Sequence, residues 1–208
     1  MDYKWAKDYT LQLINQYSIS GTEVPSSYND QQDYILRIPK LLNNAQIHVA
    51  TTTGKIRTAV PLENLERRIG GEWHLYTMPD DFWQLCAGGL IIQGADAVPE
   101  RVSSVRIIGS NQLAVPRDIR GNAFVEYYRM PSLLSDKPKD TDELDNTVSA
   151  QMILPYYAAA HLVMQDNQYA YQSLMNEFET RLSRLAPPLV AVCDTVGDDY
   201  GTDGWGVS

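Results

Sequence analysis

The hydrophobic period of this chain changes twice, and that limits its possible folds more than any other feature. Near the start, Trp5, Tyr9, Leu13 and Tyr17 recur at steps of four, which puts them on one stripe of a helix over 3–17. Gly21 and Pro25 interrupt the chain, and Ser26 or Ser27 can cap a second helix with Asp30 and Asp33 near its positive end. Its apolar positions are Tyr34/Ile35, Ile38, Leu41/Leu42, Ala45 and Val49. Pro39 should kink this helix or mark its true start, and the run Thr51-Thr52-Thr53-Gly54 ends it.

From 55 to about 130 the period falls to two. KIRTAV (55–60) alternates like a strand, and Trp73, Leu75 and Thr77 share one side of another. MPDDFWQLC reads as a turn into one helical turn, capped by Asp80 or Asp81. Residues 90–93 fit a short strand. Gly109-Ser110-Asn111 between VSSVRII and QLAV signals a hairpin, and NAFVEYYR (122–129) is a further strand that ends at Pro131. Gly70-Gly71 and Gly88-Gly89 read as turn glycines, and Arg67-Arg68 as part of a solvated loop.

A polar loop (132–146) leads into a helix over about 149–185 with the stripe Tyr157, Ala160, Met164, Tyr171, Leu174, Phe178, Leu182 and Leu185. Pro155 is tolerable only in its first turn, and Pro187-Pro188 stops it. The expected fold is therefore α+β and mainly α. It is a helical bundle (helices in 1–54, loop and long bundle helix in 132–186) with a small β-rich insertion at 55–131 and an extended C-terminal tail at 187–208.

Charge and composition narrow the function. A net charge of −9 and a pI near 4.7 argue against a general binder of nucleic-acid backbones, which needs clustered Lys and Arg. No basic region precedes an apolar core near the start and no run of eighteen apolar residues occurs, so neither a secretion signal nor a membrane span is expected. Cys86 and Cys193 read as two reduced thiols. Thirteen tyrosines against three phenylalanines suit surfaces that are half buried and half wet.

The sequence offers little catalytic machinery. His48, His74 and His161 are isolated from one another and from cysteines, without the local spacing of metal ligands. No nucleophile elbow, Walker loop or dinucleotide fingerprint is present. Cys86 has no sequence neighbour that would lower its pKa. Asp80 and Asp81 could serve acid/base work with a histidine in a small hydrolase, but a helix start accounts for them too. The expectation is a protein that is not an enzyme and needs no cofactor or metal.

Three stretches carry a resemblance: GEWHLYTMPDDFWQL, VEYYRMP (Val125 to Pro131) and ILPYYAAAHLVMQDNQYAYQSLMNEFETRL. In that order, between two N-terminal helices and a tail, they resemble the head-to-tail connector (adaptor, or head-completion) proteins of tailed bacteriophages, loosely over 3–185. The resemblance implies a virion structural protein at the neck, made in the host cytoplasm. It implies a ring, commonly of twelve copies, beneath the portal that extends the DNA channel and docks tail or nozzle proteins. DNA would pass through the lumen without specific binding. Another neck or tail-completion ring protein is the alternative in the same class.

The last sixteen residues, CDTVGDDYGTDGWGVS, hold four aspartates, no lysine or arginine, and a tryptophan. In adaptors of this kind the C-terminal segment tends to run along the portal. On that reading Tyr200 and Trp205 anchor in pockets, while Asp194, Asp198, Asp199 and Asp203 meet basic groups of the portal. A segment that orders on binding can wrap a large surface, and buried aromatic anchors each supply about 2 kcal/mol or more. The tail is expected to be mobile in the free protein and ordered in the assembly.

Overall fold

In the computed structural model the described residues are 1–14, 28–53, 55–70, 72–93, 100–102, 104–117 and 122–185. The first helix, α1, spans Tyr3–Leu13 and is capped by Asp2, whose carboxylate accepts from the Trp5 N–H at 2.9 Å. The second, α2, spans Tyr28–Thr52 with Pro39 inside it. Ile38, Leu42, Ala45 and Val49 are fully buried along one stripe, as the 3–4 spacing requires.

The helical bundle with a small insertion is not what forms. Among the described residues, eight strands in two four-stranded antiparallel sheets make this a sheet-rich α+β fold. The first sheet joins β1 (Ile56–Pro61), β8 (Asn122–Arg129), β4 (Phe82–Gln93) and β5 (Glu100–Val102), in that order. The second joins β2 (Arg67–Gly70), β3 (Trp73–Thr77), β7 (Gln112–Pro116) and β6 (Arg106–Ile108). A 3-10 turn at Leu62–Asn64 links β1 to β2. The two sheets share a core in which Leu90, Val125 and Tyr127 of the first meet Leu113 and Val115 of the second, with Leu62 and Met78. β2 is built on Arg67-Arg68 and β5 on Glu100-Arg101, so neither shows the apolar alternation by which strands are recognised.

The helical turn at MPDDFWQLC is also overturned. Asp80 and Asp81 form a turn, and Phe82 begins the longest strand. Phe82, Gln84 and Leu85 pair with Arg129, Tyr128 and Tyr127, and that ladder outweighs the local cap signal. The register slips between Leu85 and Leu90, so Gly88 and Gly89 lie within the strand and not in a turn. A Cβ on Gly89 would stand 2.4 Å from Leu85 Cγ and 2.9 Å from the Cys86 carbonyl oxygen, so only glycine lets the chain pass itself there. The expected hairpin at Gly109 is present, with φ of 65°.

The long helix over 149–185 is three helices: α3 (Val148–Gln151), α4 (Leu154–Val163) and α5 (Gln168–Leu185). Pro155 sits in the first turn of α4, where its missing N–H costs nothing. Asn167 ends the second break by accepting the Ala170 N–H at 3.0 Å. The turn folds α5 back on α4, so ring contacts run in antiparallel order: His161 with Tyr171 at 5.8 Å, then Tyr157 with Phe178 at 5.3 Å. Farther along, the Arg181 guanidinium lies 4.4 Å over Tyr156. These helices enclose a separate core of Ile38, Leu42, Leu154, Leu162 and Phe178 with Leu11 of α1.

The acidic segment after β8 is pinned rather than loose. Asp2 bridges Glu143, and the Tyr3 N–H donates to the Asp142 carbonyl at 2.7 Å. Asn43 of α2 both donates to and accepts from the Leu134 backbone at 2.8 Å. Buried Gln46 accepts the Asp145 N–H, and Arg129 at the end of β8 grips both Asp145 oxygens at 2.6 and 2.7 Å. This strap ties the sheet core to the helical core.

Candidate functional site

Alternation along β8 puts Val125 and Tyr127 inside and Phe124, Glu126 and Tyr128 on the opposite, outer face. Across the first sheet, Arg57 of β1 and Arg101 of β5 converge on the Glu126 carboxylate. Both arginines keep 50% of their side-chain surface exposed, against 16% for Glu126. Lys55, just before β1, lies 5.4 Å over the Trp83 ring and 4.9 Å over Tyr128. Among the described residues this face brings Lys55, Arg57 and Arg101 and the rings of Trp83 and Tyr128 around the Glu126 carboxylate. Cys86 is buried beside Tyr128, and burial pushes its thiol pKa up. An inert thiol follows.

Between the sheets a cavity of about 380 Å³ opens among Leu62, Leu65, His74, Tyr76, Val115 and Ala123, with Glu63 and Arg67 also in its lining. His74 Nδ1 is closed off from water and has no hydrogen-bond partner among the described residues. The other two histidines belong to the helical core: His161 packs edge-on to Tyr157 at 4.2 Å, and His48 stacks on the same ring at 6.0 Å. Burial pushes the His161 pKa down, which favours the neutral ring.

Among the described residues large apolar side chains reach the surface at Leu36 of α2 and Leu133 after β8, and in two further groups. On the helical part, Val148 opens α3 and Met152 directly follows it, with 67% and 49% exposure, and Met164 and Tyr169 flank the α4–α5 turn. On the sheet part, Ile107 and Ile108 are exposed on β6, the edge of the second sheet.

Asp80 is exposed, and Asp81 accepts from the Tyr127 hydroxyl at 3.0 Å while its carbonyl accepts the Met130 N–H. Arg67 and Arg68 lie in β2 and not in a loop. Among the described residues no group of three or more His, Cys, Asp or Glu is placed to hold a metal ion. The tail residues Asp194, Asp198, Asp199, Tyr200, Asp203 and Trp205 lie outside the described residues, as does Cys193. The cluster of Lys55, Arg57, Trp83, Arg101 and Glu126 escaped the sequence reading because its members come from four separate segments. Alternation assigns each a side of its own strand, but only the pairing of β1 and β4 to β8 puts those sides together. No protein-family model matches the chain, and a search of curated proteins finds no match.

Proposed function

We propose that this chain is a virion structural protein, the head-to-tail adaptor that forms a ring under the portal, extends the DNA channel and docks tail proteins. The observation that carries the reading is a pair of unlike apolar surfaces, Val148 and Met152 at the two ends of α3 against Ile107 and Ile108 on β6. A ring closes through heterologous contacts, in which one patch of a subunit meets a different patch of the next. An exposed edge strand with isoleucines invites association unless a partner covers it, and a second copy is that partner here. The strap of residues 131–147 supports the same reading, because it holds the two surfaces in fixed relation through Asn43, Gln46 and the Arg129–Asp145 pair.

Acidity fits the lumen. At −9 per chain, twelve copies carry on the order of −100 formal charges, and DNA sliding through a negative channel is repelled rather than held. The C-terminal residues Tyr200 and Trp205, with Asp194, Asp198, Asp199 and Asp203, then supply the joint to the portal.

Light scattering on the purified protein, alone and with the matching portal, tests this. A monomer or ring that converts to a stoichiometric portal complex supports the adaptor reading, and deletion of residues 196–208 should weaken that complex while the fold is retained. A chain that stays monomeric and ignores portal overturns it in favour of a neck ring on the tail side.

A further inference from the structure

We propose that the cavity between the two sheets binds a small zwitterion with an apolar side chain, that is, an apolar α-amino acid or a molecule of the same chemistry. The site is separate from the surfaces of the ring reading and does not rest on it.

Three observations lead there. The first is the direction of the strand side chains. Arg67 of β2 lies directly opposite Tyr76 of β3, which lies opposite Leu113 of β7, and His74 lies opposite Val115. Leu113 and Val115 are buried in the core between the sheets. Residues paired across a ladder share a face, so Arg67, His74 and Tyr76 stand on the inner face. Alternation sends Arg68 to the outer one, where it pairs with Glu66 at 3.4 Å.

The second is opposite charge without pairing. Glu63, on the 3-10 turn between β1 and β2, shares the cavity lining with Arg67. Among the described residues the side chains of Glu63, Arg67, His74 and Tyr76 make no hydrogen bond or ion pair. The Arg67 guanidinium and the Tyr76 hydroxyl are therefore donors for a carboxylate, and Glu63 is the acceptor for an ammonium. A simple anion would meet the charge of Glu63 and a simple cation that of Arg67, whereas a zwitterion uses both. His74 Nδ1 is closed off from water, so a bond from this ring into the cavity runs through Nε2.

The third is the apolar wall. Leu62 and Val115 are almost wholly buried and line the same space, with Leu65 beside them. The volume of about 380 Å³ lies near the small end of ligand pockets, which run from about 300 to 1,000 Å³. That suits a ligand of amino-acid size with its side chain against the leucines.

The test uses the full chain, isotope-labelled and followed by NMR. It is titrated with L-leucine and L-phenylalanine, then with the matching compounds that lack the ammonium (isocaproate, hydrocinnamate) or the carboxylate (isoamylamine, phenethylamine). The expected result is saturable amide shifts centred on Glu63, Arg67, His74 and Tyr76 with at least one amino acid, and binding roughly tenfold weaker or more for each charge removed. Arg67→Gln and Glu63→Gln should weaken that amino acid by a similar factor, and Arg68→Gln should leave it unchanged. Arg67 and Glu63 are exposed, so both variants should fold. The proposal is overturned by no shift at the cavity with either amino acid, by equal binding of a single-charge compound, or by an affinity that Arg67→Gln and Glu63→Gln leave unchanged.

Discussion

Asp145 shows how much one side chain can decide. It accepts two bonds from Arg129 and a third from the Ser132 N–H, and chiefly the Arg129 bond holds its carboxyl down to about 2. A carboxylate whose pKa falls on folding stabilises the native state above its unfolded value of about 4 and loses that contribution as pH falls through the folded value. The contribution, on the order of 2 kcal/mol, should therefore be complete at neutral pH and fade between about pH 4 and pH 2. Asp145→Asn should lower the urea midpoint at pH 7, and its gap to the unmodified protein should narrow steadily toward pH 2. An equal gap at both ends of that range would mean that the Arg129 pair is not what the substitution removes. At this scale the sequence is a poor guide, because its patterns place Arg129 in a strand and Asp145 in a polar loop without linking the two.

Among the elements, the helical hairpin of α4 and α5 depends on the break between them. The Asn167 side chain accepts an N–H from the first turn of α5, that of Ala170. Asn167→Ala should cost about 1 kcal/mol, read as a lower thermal midpoint, whereas Asn167→Asp should be close to neutral because both residues cap well. If Ala at 167 leaves the midpoint unchanged, the hairpin is held by Phe178 and Tyr157 packing alone. The periodic stripe over 149–185 was legible in the sequence, but the breaks were not. A stripe of apolar residues at 3–4 spacing reads the same whether the helix is continuous or folded back on itself, since both arrangements bury the same side chains. The β unit failed in the other direction. β3 and β8 have clear patterns, while β2 and β5 lack alternation and pair with their neighbours β3 and β4, and β4 is held by β8 far along the chain.

For the whole molecule, the two cores and the strap between them leave β6 open at the edge of the second sheet. Ile108 is 49% exposed there, so Ile108→Asp should leave the thermal midpoint of the free subunit within about 0.5 kcal/mol of unchanged stability. The same substitution should shift assembled protein toward monomer in light scattering, because it places a charge in the contact that the ring reading assigns to β6. An undiminished assembly would remove β6 from the interface and leave the α3 surface to be paired with another.

The sequence by itself determined which segments carry helical or alternating patterns, the hairpin at Gly109, the acidity and the unusual end of the chain. Those properties are local, set by the spacing and type of neighbouring residues. Tertiary structure alone decided that there are two full sheets, that MPDDFWQLC is turn and strand, that the acidic loop is a strap, and that Lys55, Arg57 and Arg101 share one face. Each of these depends on a ladder or a bond between residues far apart in sequence, such as Tyr127 with Leu85 or Asn43 with Leu134. Backbone pairing across such distances satisfies donors and acceptors that a local pattern leaves unassigned, so it overrides weak local preferences for helix or loop.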